Sequence, residues 1–93
     1  MPVGVLTLEI HINGARSLKD KRQVLRSLKD RLRRHHNVAV AELDYQDTWH
    51  DARVGVVTIS GSAQYVEQTL QAALGECDRL LGRDLVDHSI EIV

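Results

Sequence analysis

Aromatic residues are almost missing from this chain. Its 93 residues include no Phe, one Trp (Trp49) and two Tyr, so a core has to be assembled from Val, Leu, Ile and Ala. Cysteine occurs once, as Cys77, which excludes an intramolecular disulfide framework and any multi-cysteine zinc site. The one proline is Pro2, so no proline-marked linker divides the chain. No apolar run has the length of a membrane span, and Met1 to Leu6 lacks the charged start of a secretory signal. A cytoplasmic protein without membrane association is the expectation. Repeats and low-complexity tracts are absent too. A chain of this length makes a single domain, residues 1–93, that buries roughly 60–70% of the surface its unfolded form exposes.

What is present is charge, unevenly placed. The segment Arg16 to Arg34 holds nine cations against two acids, a net +7, and the remainder holds three cations against eleven acids, a net −8. The formal net charge of −1 hides this dipole, and it is the local field that attracts anionic partners.

Hydrophobic periodicity sets the element order. Val3 to Ile12 alternates, with Leu6, Leu8, Ile10 and Ile12 on one face and Val3, Val5, Thr7, Glu9 and His11 on the other, the signature of a half-buried strand. Asn13-Gly14 ends it. Ser17 is an N-cap with Asp20 three residues on, like a shortened capping box, and opens a helix from about Leu18 to His36. Leu18, Val24, Leu25, Leu28 and Leu32 share its apolar side, and Asn37 is suited to close it in a left-handed conformation. Strands follow at Val38 to Tyr45 and Arg53 to Ser60, joined by a polar hairpin loop. Ser62 can cap a second helix with Val66, Leu70, Ala73/Leu74, Cys77 and Leu80/Leu81 on its apolar side, and Gly82 suits its C′ position. Asp84 to Val93 is a last strand, with Val86, Ile90 and Ile92 alternating against Asp87, Ser89 and Glu91.

The order β-α-β-β-α-β with right-handed crossovers predicts an α+β, ferredoxin-like sandwich. Its four-stranded antiparallel sheet has strand order 4-1-3-2 and carries both helices on one face. The other sheet face then has no cover within the chain, and its apolar residues suggest a second chain or a partner.

A helical wheel sorts the cations of the first helix. Lys19, Arg22, Arg26, Lys29 and Arg33 fall between about 20° and 100° from Leu18, a continuous stripe beside the apolar sector. Lys21 falls at about 300°, inside that sector, so it either ends at the rim of the core or serves a specific anion. Lys19, Lys21 and Arg22 crowd a helix N-terminus, where the macrodipole is already positive. With the free N–H groups and the Asn13-Gly14 turn they outline an anion site. Lys19, Lys21, Arg22, Arg26, Lys29 and Arg33 are therefore the candidate nucleic-acid or anion contacts, with a solvated basic helix face as the plain alternative.

Other constellations are less specific. The loop Asp44 to Asp51 gathers three acids, a histidine and Trp49. It suits a cation or a nucleic-acid base, and it equally suits Trp49 folding back over the core while the acids are solvated or pair with Lys21 or Arg22. Glu9 and His11 share the open sheet face, where a metal competes with cross-strand ion pairing. His35 and His36 end the first helix, where the dipole favours cations. Cys77 lies on an apolar helix face with no base fixed beside it, as a buried thiol does. No Gly-rich phosphate loop or ordered Ser/His/Asp set is present, and no catalytic residue, cofactor or metal is expected.

The runs Ser17-Leu18-Lys19-Asp20-Lys21-Arg22 and Asn37-Val38-Ala39-Val40-Ala41-Glu42, with the later Trp49, resemble the YlxP-like family of small bacterial proteins of unknown function. The resemblance spans essentially the whole chain and implies the same ferredoxin-like fold. Members of that family often lie near genes for translation and ribosome-maturation factors, which implies an RNA- or ribosome-related role. It has no established active site to carry over. The leading expectation is a non-catalytic protein that binds rRNA or a ribosomal subunit through phosphate and shape. A stacking sheet is disfavoured because the first and third strands carry no aromatic residue. The alternatives are a homodimeric interaction module, formed through the open sheet face and docking an acidic protein, and a small metal-dependent enzyme.

Overall fold

The computed structural model describes residues 2–93. The elements are β1 (Val3–His11), α1 (Leu18–His35), β2 (Ala39–Asp44), β3 (Asp51–Ile59), α2 (Ala63–Leu81) and β4 (Leu85–Ile92), with a single 3-10 turn at Gly82–Asp84 before β4. All strand pairs are antiparallel, in the order β2-β3-β1-β4. This is the expected α+β ferredoxin-like sheet, whose order read from the other edge is 4-1-3-2.

The alternation of β1 decides which sheet face is dry. Leu6, Leu8, Ile10 and Ile12 are buried, and so are Val54, Val56 and Thr58 on β3. Leu25, Leu28 and Leu32 of α1 and Val66, Leu70, Ala73 and Cys77 of α2 close over them. Gly4 belongs to this inner face. A Cβ there would meet Val66 and lie 2.6 Å from Leu70 Cδ1, so the missing side chain is what lets α2 approach the sheet. The Cys77 thiol is fully buried. Burial, helped by the charge of Glu76, pushes its pKa up to about 12, so it remains a protonated packing group.

Capping follows the sequence at the start of α1. The Ser17 Oγ accepts from the Asp20 N–H at 3.1 Å, and the Asp20 carboxylate accepts from the Arg16 N–H at 3.0 Å. The end of α1 differs from expectation. His36 leaves the helix in an extended conformation (φ −137°), and Asn37 is not left-handed. Its carbonyl instead accepts from the Thr58 hydroxyl at 2.7 Å, which ties the helix exit to β3. Gly82 does adopt the positive φ expected of it, at 56°.

Two bulges re-aim side chains that strict alternation misplaces. On β4, Asp87 pairs with Glu9 but Leu85 pairs with Ile10. The extra residue, Val86, is thereby turned out and is 64% exposed instead of joining Ile90. On β2, Glu42 pairs with Val54 and Asp44 with Arg53. Leu43 is the extra residue, and it covers Gly55 so closely that a Cβ there would sit 2.9 Å from Leu43 Cδ1. Strand β3 begins at Asp51, two residues earlier than its apolar pattern, because Asp51 pairs with His11.

At the far end of the helices, Glu76 of α2 is buried beneath His35 and His36. His35 Nδ1 lies 2.7 Å from one carboxylate oxygen and His36 Nε2 lies 2.8 Å from the other, with Arg31 at 3.9 Å. Burial pushes the Glu76 carboxyl up, but the two hydrogen bonds and the histidine charges outweigh it, and its pKa lies below the ordinary 4.5. One carboxylate of α2 thus holds the C-terminal end of α1.

Two outcomes follow from this packing. Gly4→Ala destabilises by about 1–3 kcal/mol through overpacking, read as a drop of roughly 4–8 °C in Tm per kcal/mol. Because the folded Glu76 pKa is depressed, its contribution is present above pH 4.5 and is lost as pH falls through the folded value. Denaturant titrations across that window should show a steeper acid loss for the native chain than for Glu76→Gln.

Candidate nucleic-acid interface

Helix α1 has 18 residues and is about 27 Å long. Its buried positions are Lys21, Leu25, Leu28 and Leu32, so the lysine continues the apolar stripe by helical spacing. This overturns Lys21 as a contact for an external anion. Its side chain is 2% exposed, and its Nζ donates to the carbonyls of Tyr45 at 2.5 Å and Thr48 at 2.8 Å. The Glu42 carboxylate stands at 3.3 Å as counter-ion. The specific anion is internal, and an ammonium with three donors finds three oxygens on the β2–β3 hairpin.

At the helix N-terminus, where an anion site is expected, internal oxygens take up part of the donor set. Ser17 and Asp20 cap the first turn. The Asn13 side chain donates to Asp84 at 2.7 Å, so the Asn13-Gly14 turn is tied to an acid and not left open for one.

The other five candidates behave as the wheel indicates. Lys19, Arg22, Arg26 and Arg33 are exposed and Lys29 is half-buried. Arg33 donates one guanidinium hydrogen bond to the Val40 carbonyl at 3.0 Å, which anchors it and leaves its remaining donors outward. Among the described residues, none of these five is in an ion pair. Beside the stripe, Gln23, Arg26, Ser27, Asp30, Arg31 and Arg34 line a shallow polar depression of about 340 Å³.

The hairpin loop is fixed, and not as packing of Trp49 predicts. The indole is 51% exposed, so it does not close the core. The lysine ammonium gathers the Tyr45 and Thr48 carbonyls inward, and the Thr48 hydroxyl bonds the Tyr45 and Asp51 carbonyls at 3.2 Å each. Tyr45 is held at φ 67°, the one non-glycine residue with positive φ among those described. Such a conformation is uncommon for a bulky residue and persists where surroundings over-determine it.

The Glu9 and His11 pair resolves into cross-strand pairing. Arg53 donates to Glu9 at 2.5 Å, reaches Asp44 at 3.5 Å and lies over the Tyr45 ring at 5.2 Å. The hydrogen bond and charge of Glu9 raise the Arg53 pKa further. His11 meets Asp51 at 2.9 Å and stacks on His50. The β2 side of the open sheet face is apolar, while Thr7, Asp87, Ser89 and Glu91 make its β1–β4 side polar. Val5, Ala39, Ala41, Leu43, Gly55 and Val57 border a depression of about 200 Å³.

Lys21→Met leaves the Glu42 carboxylate and two carbonyls without their partner. We expect a loss of about 3 kcal/mol, measured by urea unfolding, with Lys21→Arg intermediate because a planar guanidinium does not reproduce the three-way geometry.

The described residues contain no helix long and apolar enough to cross a membrane. The chain is 37% identical over 76 residues to the uncharacterized protein YlxP of Bacillus subtilis (strain 168), an alignment covering 82% of this chain and 83% of that protein. Among solved structures, the chain is similar to a mutant of SnoaB, a cofactor-independent oxygenase from Streptomyces nogalater. The TM-score is 0.54 at 13% identity, over 99% of this chain and 90% of that one. It is also similar to the de novo designed protein Foldit4, with TM-score 0.51 at 12% identity, over 99% and 92%. Likeness to an oxygenase and to a designed protein alike concerns the fold, which hosts unrelated activities. A family model described as a protein of unknown function, DUF503, matches residues 3–90. With the YlxP match over most of its length, the chain belongs to the DUF503, YlxP-like family.

Proposed function

We propose that this protein is a non-catalytic RNA-binding protein, associated with rRNA or a ribosomal subunit, whose phosphate contacts are Lys19, Arg22, Arg26, Lys29 and Arg33. The observation that carries the proposal is the state of these five cations. They occupy one helix face and form no ion pair among the described residues, although the chain holds 13 acids. Several acids near the helix are committed elsewhere, Glu42 to Lys21, Glu76 to the histidines and Asp20 to the cap, while Asp30 lies exposed within α1 itself. Uncompensated cations at regular helical spacing are the electrostatic footprint of a polyanion site. Arg33, anchored through the Val40 carbonyl, is the best positioned of them to present a guanidinium to phosphate.

A second reading rests on a different surface. Leu43 and Ile59 are about half exposed and Val57 is 38% exposed, next to the uncovered alanines of β2. An apolar sheet face of this kind fits a homodimer, leaving the basic helices outward for RNA or an acidic protein. Sedimentation at micromolar concentration separates the two states, and a stable monomer removes this reading.

For the RNA reading, affinity for rRNA fragments should fall steeply with salt. The log–log slope should flatten by roughly 0.7–0.9 for each phosphate contact removed. Reversing Arg22, Arg26 and Arg33 to Glu should abolish most binding while far-ultraviolet dichroism remains native. No binding at low salt, or binding indifferent to the reversal, overturns the proposal.

A further inference from the structure

The loop Tyr45–His50 presents an indole that enters no side-chain hydrogen bond, aromatic stack or cation–π contact among the described residues. Trp49 is 51% exposed, yet its backbone is held on both sides. The preceding carbonyl, of Thr48, takes a hydrogen bond from the buried Lys21 ammonium at 2.8 Å. The following carbonyl, of His50, takes one from the Ile12 N–H at 2.8 Å, and the His50 ring stacks on His11. The other aromatic residue of the loop is engaged, since Arg53 covers the Tyr45 ring and donates to its hydroxyl at 3.1 Å. A half-exposed Trp on an ordered segment is a binding group that loses little entropy when occupied.

Its position relates it to the basic helix. Lys21 connects the Thr48 carbonyl to the first turns of α1, so the loop that carries the indole is tied to the helix whose stripe begins with Lys19 and Arg22. The acids of the loop do not all oppose a polyanion there. Asp51 is paired with His11, and Asp44 with Arg53 and the Tyr45 N–H. Asp47 alone has no such partner among the described residues.

We infer that Trp49 is a stacking platform for an unpaired base of the RNA strand whose phosphates lie along α1. This rests on the RNA reading above and narrows its ligand to single-stranded segments: loops, bulges or ends. Bases in a duplex are already stacked and do not reach a protein ring, whereas splayed bases stack on aromatic side chains with little sequence preference. Recognition is then by stacking as well as by backbone, through an aromatic on a loop and not on the sheet.

The test uses the native chain, because Trp49 is its single tryptophan and its fluorescence reports one site. Titration with a single-stranded oligouridylate should quench that emission. A duplex RNA of equal charge should bind through the helix without quenching. In anisotropy with labelled RNA, Trp49→Ala should weaken oligouridylate binding about ten-fold and duplex binding less than about two-fold. Trp49→Phe should restore most of the difference, and Arg22→Glu with Arg26→Glu should weaken both probes. Oligouridylate binding that needs the arginines but leaves Trp49 emission and the Trp49→Ala affinity unchanged overturns the stacking inference alone. Absence of RNA binding at low salt overturns it together with the reading on which it rests.

Discussion

The buried ammonium of Lys21 is the constraint on which the functional end of the molecule depends. A charge placed among Leu25, Leu28 and Leu32 is tolerable only if its donors are all satisfied and a counter-charge is near. Two carbonyls of the hairpin loop accept its hydrogen bonds and the Glu42 carboxylate supplies the counter-charge. The loop therefore cannot drift from α1 without stranding the ammonium. Its path, the left-handed Tyr45 and the outward indole all follow from the same three contacts. The cation that looks least useful on a helical wheel is the one that organises the others' surroundings.

The same logic explains how a nearly neutral chain keeps a strongly basic face. Its acids are drawn into local tasks: capping, cross-strand pairing, the Lys21 counter-charge and the carboxylate under His35 and His36. Most of these contacts are hydrogen bonds, and Glu42 meets Lys21 as an ion pair at 3.3 Å. The exposed row of α1 is left to repel itself, which costs stability. The alternative sheet-face contact draws on another imbalance, the lack of any second layer over the apolar half of the open face.

Much of this was legible in the sequence because it depends on short-range periodicity. The inner face of β1, the stripe on α1 and the Ser17 cap follow from spacings of two, three and four residues. Val86 and Leu43 were not legible, since each bulge is set by pairing across strands and not by the residues themselves. Asn37 is a residue type suited to a left-handed exit, yet its carbonyl is captured by Thr58 in an extended one. Trp49 misleads for a related reason. A lone indole is ordinarily buried, but here anchors on both sides of it hold the backbone while leaving the ring outside.

By itself, then, the sequence determined the element order, the dry face of the sheet, the absence of disulfide and aromatic-core chemistry, and the asymmetry of charge. These are properties of composition and local spacing, which do not need a partner strand to be defined. Only the tertiary structure decided which cations remain available. Lys21 sits within the same run as Lys19 and Arg22, and its place in the apolar sector of the wheel left open whether it ends at the rim of the core or serves a specific anion. Its fate depends on oxygens more than twenty residues away, brought to it because β2 and β3 pair and turn their loop back over α1. A long-range hydrogen-bond geometry of that kind is written in no single segment, and it divides one basic run into a structural clamp and an outward-facing stripe.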